Sequence, residues 1–232
     1  MFSPTTWEFF EVLKENNHKD WFHANKKSYN QVKTEYQENA AKVLQIAQNI
    51  DISLSHLEPK NTLFRINRDI RFSKDKSPYK THLAYGINPF GKKMASAGYY
   101  VHFEKDNVFV GGGMYMPDAA SLKKIRAEIN YFFEEFKTIV EGKDFKNYFG
   151  GLDYEENLVL KTSPKNYDID NPAIEFLKLK SFTAIKKLDN KYLTSEKTLV
   201  EIEKAFKSIY PLVNFINRAL TVEEEEDFSD LV

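Results

Sequence analysis

Residues Gly98-Tyr-Tyr-Val-His-Phe-Glu104 and Asn107-Val-Phe-Val-Gly111 are two strand-like runs separated only by the polar pair Lys105-Asp106. A period of two puts successive side chains on opposite faces of a strand, and a two-residue polar break between such runs closes a hairpin. Outward from this hairpin the same period covers residues 62–72, 81–88, 97–104 and 107–115, which predicts an antiparallel meander. Helical spacing brackets it. On the N-terminal side Pro4 precedes Trp7, Phe10 and Leu13, a short helix ending near Asn16-Asn17, and Asp20 is placed to cap a second helix running to about residue 50. On the C-terminal side Pro117-Asp118 starts one long helix with Leu122, Ile125, Ile129, Phe132, Phe133, Phe136 and Val140 in a single stripe. A short strand near 157–160, a helix after Asn171-Pro172, a strand near 181–187 and a last helix over about 195–220 follow. Strands grouped beside helices, rather than alternating with them, give an α+β fold with its sheet at about residues 62–115, flanked by N-terminal and C-terminal helices.

The chain has 232 residues, 42% of them apolar and 15% aromatic, enough for one good core, and no linker or internal repeat divides it. One domain over residues 1–221 is expected. Net charge is −1, which argues against a protein that coats nucleic acid by bulk positive charge. Six acids and no base lie between Glu223 and Asp230, so the preceding residues carry +5 and residues 222–232 read as an acidic, disordered tail. The absence of cysteine excludes disulfides and thiolate chemistry. Neither a basic, apolar leader nor a run of ~20 apolar residues occurs, so no membrane association and a cytoplasmic location are expected.

Chemistry concentrates in residues 65–82, Arg-Ile-Asn-Arg-Asp-Ile-Arg-Phe-Ser-Lys-Asp-Lys-Ser-Pro-Tyr-Lys-Thr-His. Six Arg and Lys residues face two aspartates there, an excess that points to an external phosphate or carboxylate. The competing reading is a surface ion-pair network in which Asp69 and Asp75 neutralise the bases. Read as a strand, Phe64, Ile66, Arg68, Ile70 and Phe72 share one face and Arg65, Asn67, Asp69 and Arg71 the other. Arg65 and Arg71 then stand roughly 20 Å apart, too far to clamp one phosphate together. Arg68 falls on the apolar face, where an arginine requires a carboxylate or a ligand anion.

Other groups carry weaker signals. His82, His102 and Glu104 are the residue types of a two-histidine, one-carboxylate metal site, but their spacing is not diagnostic. No metal and no cofactor is assigned from the sequence, and His82 reads instead as a general acid or base beside the lysine turn. Gly111-Gly112-Gly113 offers either amides for an anion or simply a bulge or close helix crossing, the plainer reading, and lacks the lysine of a P-loop. Tyr99, Tyr100, Phe103 and Phe109 have the composition of a base-stacking platform, although sheet aromatics more often form core.

The run Arg65-x-x-Arg68-Asp69-x-Arg71-Phe72 followed by Asp75-Lys76-x-x-Tyr79 resembles the defining motif of a bacterial family of conserved hypothetical proteins, domain of unknown function 2461. Asn17-x-x-Asp20-Trp21-Phe22 with Lys26 and Tyr29, Gly98-Tyr99-Tyr100, and Gly112-Gly113-Met114-Tyr115 with Pro117 support the resemblance, which runs from about residue 4 to about 220. It implies a single-domain bacterial protein and transfers no catalytic role. The expectation is therefore an anion site formed by Arg65, Arg68, Arg71, Lys76, Tyr79 and Lys80, with Asp69 or His82 as the proton-transfer group if the protein is an enzyme. The alternative is a non-enzymatic module for single-stranded nucleic acid or a protein partner.

Overall fold

The computed structural model describes residues 1–91 and 95–221. The expected acidic tail lies outside the described residues. Helices α1 (Pro4–Glu15), α2 (Lys19–Ala24) and α3 (Lys26–Ile50) lead into strands β1 (Leu83–Ile87), β2 (Gly98–Phe103) and β3 (Val108–Met114). Helices α4 (Ala119–Tyr131), α5 (Phe133–Glu141), α6 (Lys143–Phe149) and α7 (Ile174–Leu177) come next, then β4 (Phe182–Leu188) and α8 (Lys197–Thr221). The sheet is an antiparallel meander in the order β1-β2-β3-β4, so the chain is α+β.

The predicted hairpin forms β2 and β3 with Val101 opposite Val110, and Asp106 adopts φ 65° at its turn. Leu83, Tyr85, Ile87, Tyr99, Val101, Phe103, Val108, Val110, Phe182 and Ala184 are buried, and they share one contiguous core with Ile202, Phe206, Ile209 and Val213 of α8. Two tyrosines bury their rings and still satisfy their hydroxyls. Tyr85 stacks on Tyr36 and donates to its carbonyl at 2.9 Å, and Tyr99 donates to Asp51 Oδ2 at 2.9 Å.

Residues 62–72 are not the first strand of the meander. They meet it through one isolated bridge, Leu63 to Tyr85, the Gly86 N–H donated to Thr62 O at 3.1 Å and the Phe64 ring against Tyr100, while Asn67 bridges Tyr79 outside the sheet; the fourth strand is β4. Side chains compete with a ladder here: Asp69 Oδ1 takes the Arg71 N–H at 3.3 Å, and Asp75 Oδ1 takes the Ser77 N–H at 2.9 Å. Phe72 is 94% exposed, so the alternation that would bury it does not operate.

Other boundaries shift for local reasons. Asp20 lies inside α2, whose cap is His18, its Nδ1 accepting the Trp21 N–H at 3.3 Å. The single long helix expected from Pro117-Asp118 to about Val140 is two helices, broken at Phe132, and α6 follows after Gly142. The break at Phe132 lets Phe136 meet Phe176 at 5.2 Å and Phe215 at 5.3 Å. Near 157–160 a 3-10 turn (Glu156–Leu158) and one bridge, Val159 to Leu179, replace a strand. Gly111-Gly112-Gly113 runs inside β3, paired to β2 and β4, not in a loop offering amides.

Candidate functional site

The basic segment folds back on itself as an irregular hairpin. Arg68 N–H donates to Pro78 O at 2.9 Å and Lys80 N–H to Ile66 O at 2.8 Å, so residues 69–76 become its polar tip. Asn17, in the joint between α1 and α2, docks this hairpin by donating Nδ2 to Tyr79 O at 2.9 Å and accepting the Tyr79 N–H on Oδ1 at 3.0 Å. The Tyr79 ring is buried against Phe22, with centroids 3.9 Å apart.

An open cleft of about 600 Å³ results, lined among others by Lys14, Arg68, Asp75, Tyr79, Lys80 and His82. Asp69, Asn17, Ser77 and Thr81 complete its wall. Arg68 is held by a protein carboxylate: NH1 pairs with Asp75 Oδ2 and donates to Ser77 O at 3.1 Å, and NH2 reaches Ser73 Oγ at 3.5 Å. Its apolar placement is thereby corrected, since its partners are the polar tip and not the core. Among the described residues its Nε–H has no acceptor, so the guanidinium keeps donor capacity. Bonds from the Ser77 side chain and N–H, with the Arg68 guanidinium, pull Asp75 down to about 2.

The remaining bases are deployed differently. Arg71 grips Asp69 bidentately, Nε to Oδ1 at 3.0 Å and NH2 to Oδ2 at 2.7 Å, which holds the Asp69 carboxyl below its ordinary value. Lys76 Nζ donates to Ile70 O and Lys80 Nζ to Arg65 O, each at 3.0 Å. Arg65 borders a small separate cavity that His82, Lys80 and Tyr36 also line. The cleft thus collects Arg68, Tyr79, Lys80, Asp69 and His82, while Arg65, Arg71 and Lys76 are not part of its lining. Lys14 joins from α1, a residue for which the sequence carried no signal beyond helical spacing.

Beside the cleft, on the sheet face away from α8, lies a second cluster. Leu83 pairs with Phe103, and one further step along that register sets His82 across from Glu104. The His82 and His102 rings are 4.5 Å apart, and one ligand atom from each of His82, His102 and Glu104 lies within 4.8 Å of the others. His102 Nε2 is 3.3 Å from Glu104 Oε2, and its Nδ1 is 3.3 Å from the Tyr100 hydroxyl. Glu104 also accepts from Thr81 Oγ1 and Asn107 Nδ2, each at 3.3 Å. Burial, reinforced by the nearby His102, pushes His82 down to about 4. Burial also lowers His102, against the opposing pull of Glu104. Burial alone would raise Glu104, but the bonds from His102 and Asn107 outweigh it and hold the carboxyl below its usual value. At neutral pH the cluster is therefore two neutral imidazoles and one carboxylate.

Of the four aromatics in the stacking reading, Tyr99 and Phe103 are buried in the core, leaving Tyr100 and Phe109 on the outer face with centroids 5.7 Å apart. Among the described residues no helix is long and apolar enough to cross a membrane. A family model described as "Conserved hypothetical protein (DUF2461)" matches residues 5–215. No curated protein and no solved structure matches the chain.

Proposed function

Because the chain belongs to the DUF2461 family of conserved hypothetical proteins, whose description carries no activity, we propose a function from the cleft itself: it binds a small phosphorylated or carboxylated ligand. The observation that supports this reading is the convergence of Lys14, Arg68 and Lys80 on one open cleft of about 600 Å³, the size range of small-molecule sites. Asp69 is balanced by Arg71 from outside the lining, whereas Asp75 offsets the charge of Arg68, so the excess in the cleft comes from Lys14 and Lys80 while Arg68 adds its remaining donors. An incoming anion meets Arg68 in a fixed orientation, and Lys80 and Lys14 supply point charges. Arg65, Arg71 and Lys76 stand outside the lining and contribute to the surrounding field.

For proton transfer His82 suits the cleft better than Asp69. Both oxygens of the Asp69 carboxylate are taken up by Arg71, whereas His82 is a neutral imidazole on the wall with an available lone pair; at about 4 it is a weak base, so a bound anion beside it is what would raise its basicity. The test is differential thermal unfolding with inorganic phosphate and with small dicarboxylates. The expected result is a concentration-dependent rise in melting temperature that Lys80→Met and Arg68→Ala each abolish while the far-UV circular dichroism stays native. A rise that survives both variants would sink the reading.

A further inference from the structure

We propose that His82, His102 and Glu104 bind one divalent transition-metal ion. The inference stands on the sheet-face cluster and does not rest on the anion reading. Donor type comes first: two imidazoles and one carboxylate suit zinc, ferrous iron or manganese, not the all-oxygen shells of calcium or magnesium. Distance comes second. Ligand atoms ~2.1 Å from a tetrahedral ion stand about 3.4 Å apart, and His102 Nε2 and Glu104 Oε2 are already 3.3 Å apart. The third donor, from His82, lies within 4.8 Å of both and closes by a small side-chain rotation.

The groups around the ligands support the same reading. Metal-binding histidines and carboxylates are oriented by hydrogen bonds from a surrounding shell, and here Tyr100 holds His102 Nδ1 while Thr81 and Asn107 hold Glu104. The Tyr100 hydroxyl both donates and accepts, so it serves either tautomer of His102, including the one that frees Nε2 for an ion. The plain alternative is a His102–Glu104 hydrogen bond with no ion. It accounts for one histidine only. Among the described residues the His82 ring has no hydrogen-bond partner, although it packs on His102 and lies within reach of the same carboxylate. His82 belongs also to the cleft wall, so an ion on it neighbours Arg68 and Lys80. With the ion bound, His82 gives its lone pair to the metal and is no longer the proton acceptor.

The experiment uses untagged full-length protein stripped with chelator and titrated with zinc or cobalt(II) by calorimetry, with cobalt absorption reporting the ligand field. The expected result is one ion per chain. His82→Ala and Glu104→Gln should each weaken it by 10-fold to 100-fold, roughly the cost of disturbing a metal shell, with native circular dichroism. No saturable binding would overturn the proposal. So would binding unchanged in both variants, which would place the ion elsewhere, at His18, His23 or His56. Phosphate-induced thermal stabilisation of the stripped protein is measured alongside. If it persists while metal binding fails, the metal site falls and the anion cleft stands; if it is absent while metal binds, the reverse holds.

Discussion

Asn17 pairs with the Tyr79 backbone as a neighbouring strand would, one side-chain amide satisfying both its N–H and its carbonyl. Replacing it with alanine leaves two part-buried polar groups without that partner, so Asn17→Ala should cost about 1–3 kcal/mol. Arg71 makes a shorter and fully charged contact with Asp69, yet both are solvated, and an exposed, solvent-screened pair contributes little. Urea denaturation of the two variants decides between counting charges and counting burial: the midpoint should fall clearly for Asn17→Ala and barely for Arg71→Ala. The reverse order would mean the hairpin is held by its ion pairs. Of these residues the sequence marked both, Arg71 as a candidate ligand and Asn17 only through the family motif. Nothing in local spacing shows that an amide at position 17 meets a backbone at position 79.

At the scale of elements, β3 shows why a glycine run can be a strand. A Cβ at Gly111 would stand 2.0 Å from Ala184 O, and one at Gly113, where φ is 107°, 2.0 Å from Phe182 O. Both obstacles are the backbone of β4, which has no rotamer to yield. Gly113→Ala should therefore cost more than about 3 kcal/mol or leave the protein insoluble. Gly150, with φ 83° and open space around it, should lose only about 1 kcal/mol on the same change, the cost of αL backbone alone. Expression yield and chemical denaturation of the pair check this, and equal losses would show that φ alone governs. The hairpin of β2 and β3 was legible because alternation, turn and register agree there. Residues 62–72 were misread because their period of two was real, but Asp69 and Asp75 capture the nearby amides that a ladder would use. The break at Phe132 was hidden because a helical stripe continues across it, and the gain comes from Phe176 and Phe215, far away in sequence.

For the molecule as a whole, the cleft depends on how the N-terminal helices are fastened, because Lys14 and Asn17 reach it from α1 and its joint with α2. Phe2 anchors that end in the core against Trp7 at 5.4 Å and Phe103 at 5.2 Å. Glu35 of α3 closes it, accepting from Ser3 N at 2.9 Å, Ser3 Oγ at 2.6 Å and Thr6 Oγ1 at 2.8 Å. Burial alone would raise the Glu35 carboxyl, but these donors outweigh it and hold it below the ordinary value of 4.5. A carboxyl depressed by folding binds fewer protons in the native state than in the unfolded one. Its stabilisation is then complete above about pH 4.5 and drains away as pH falls through the lower, folded value. Trp7 in α1 and Trp21 in α2 are the chain's two tryptophans, so their fluorescence reports on this end alone. On acidification below 4.5 the tryptophan signal should change before the far-UV circular dichroism of the sheet and α8. Glu35→Gln should weaken the clamp by about 2 kcal/mol at pH 7, flatten the acid dependence, and loosen anion binding without any change to a cleft residue. Coincident fluorescence and dichroism transitions in both proteins would mean that α1 and α2 unfold only with the sheet, and that the cleft is as stable as the core.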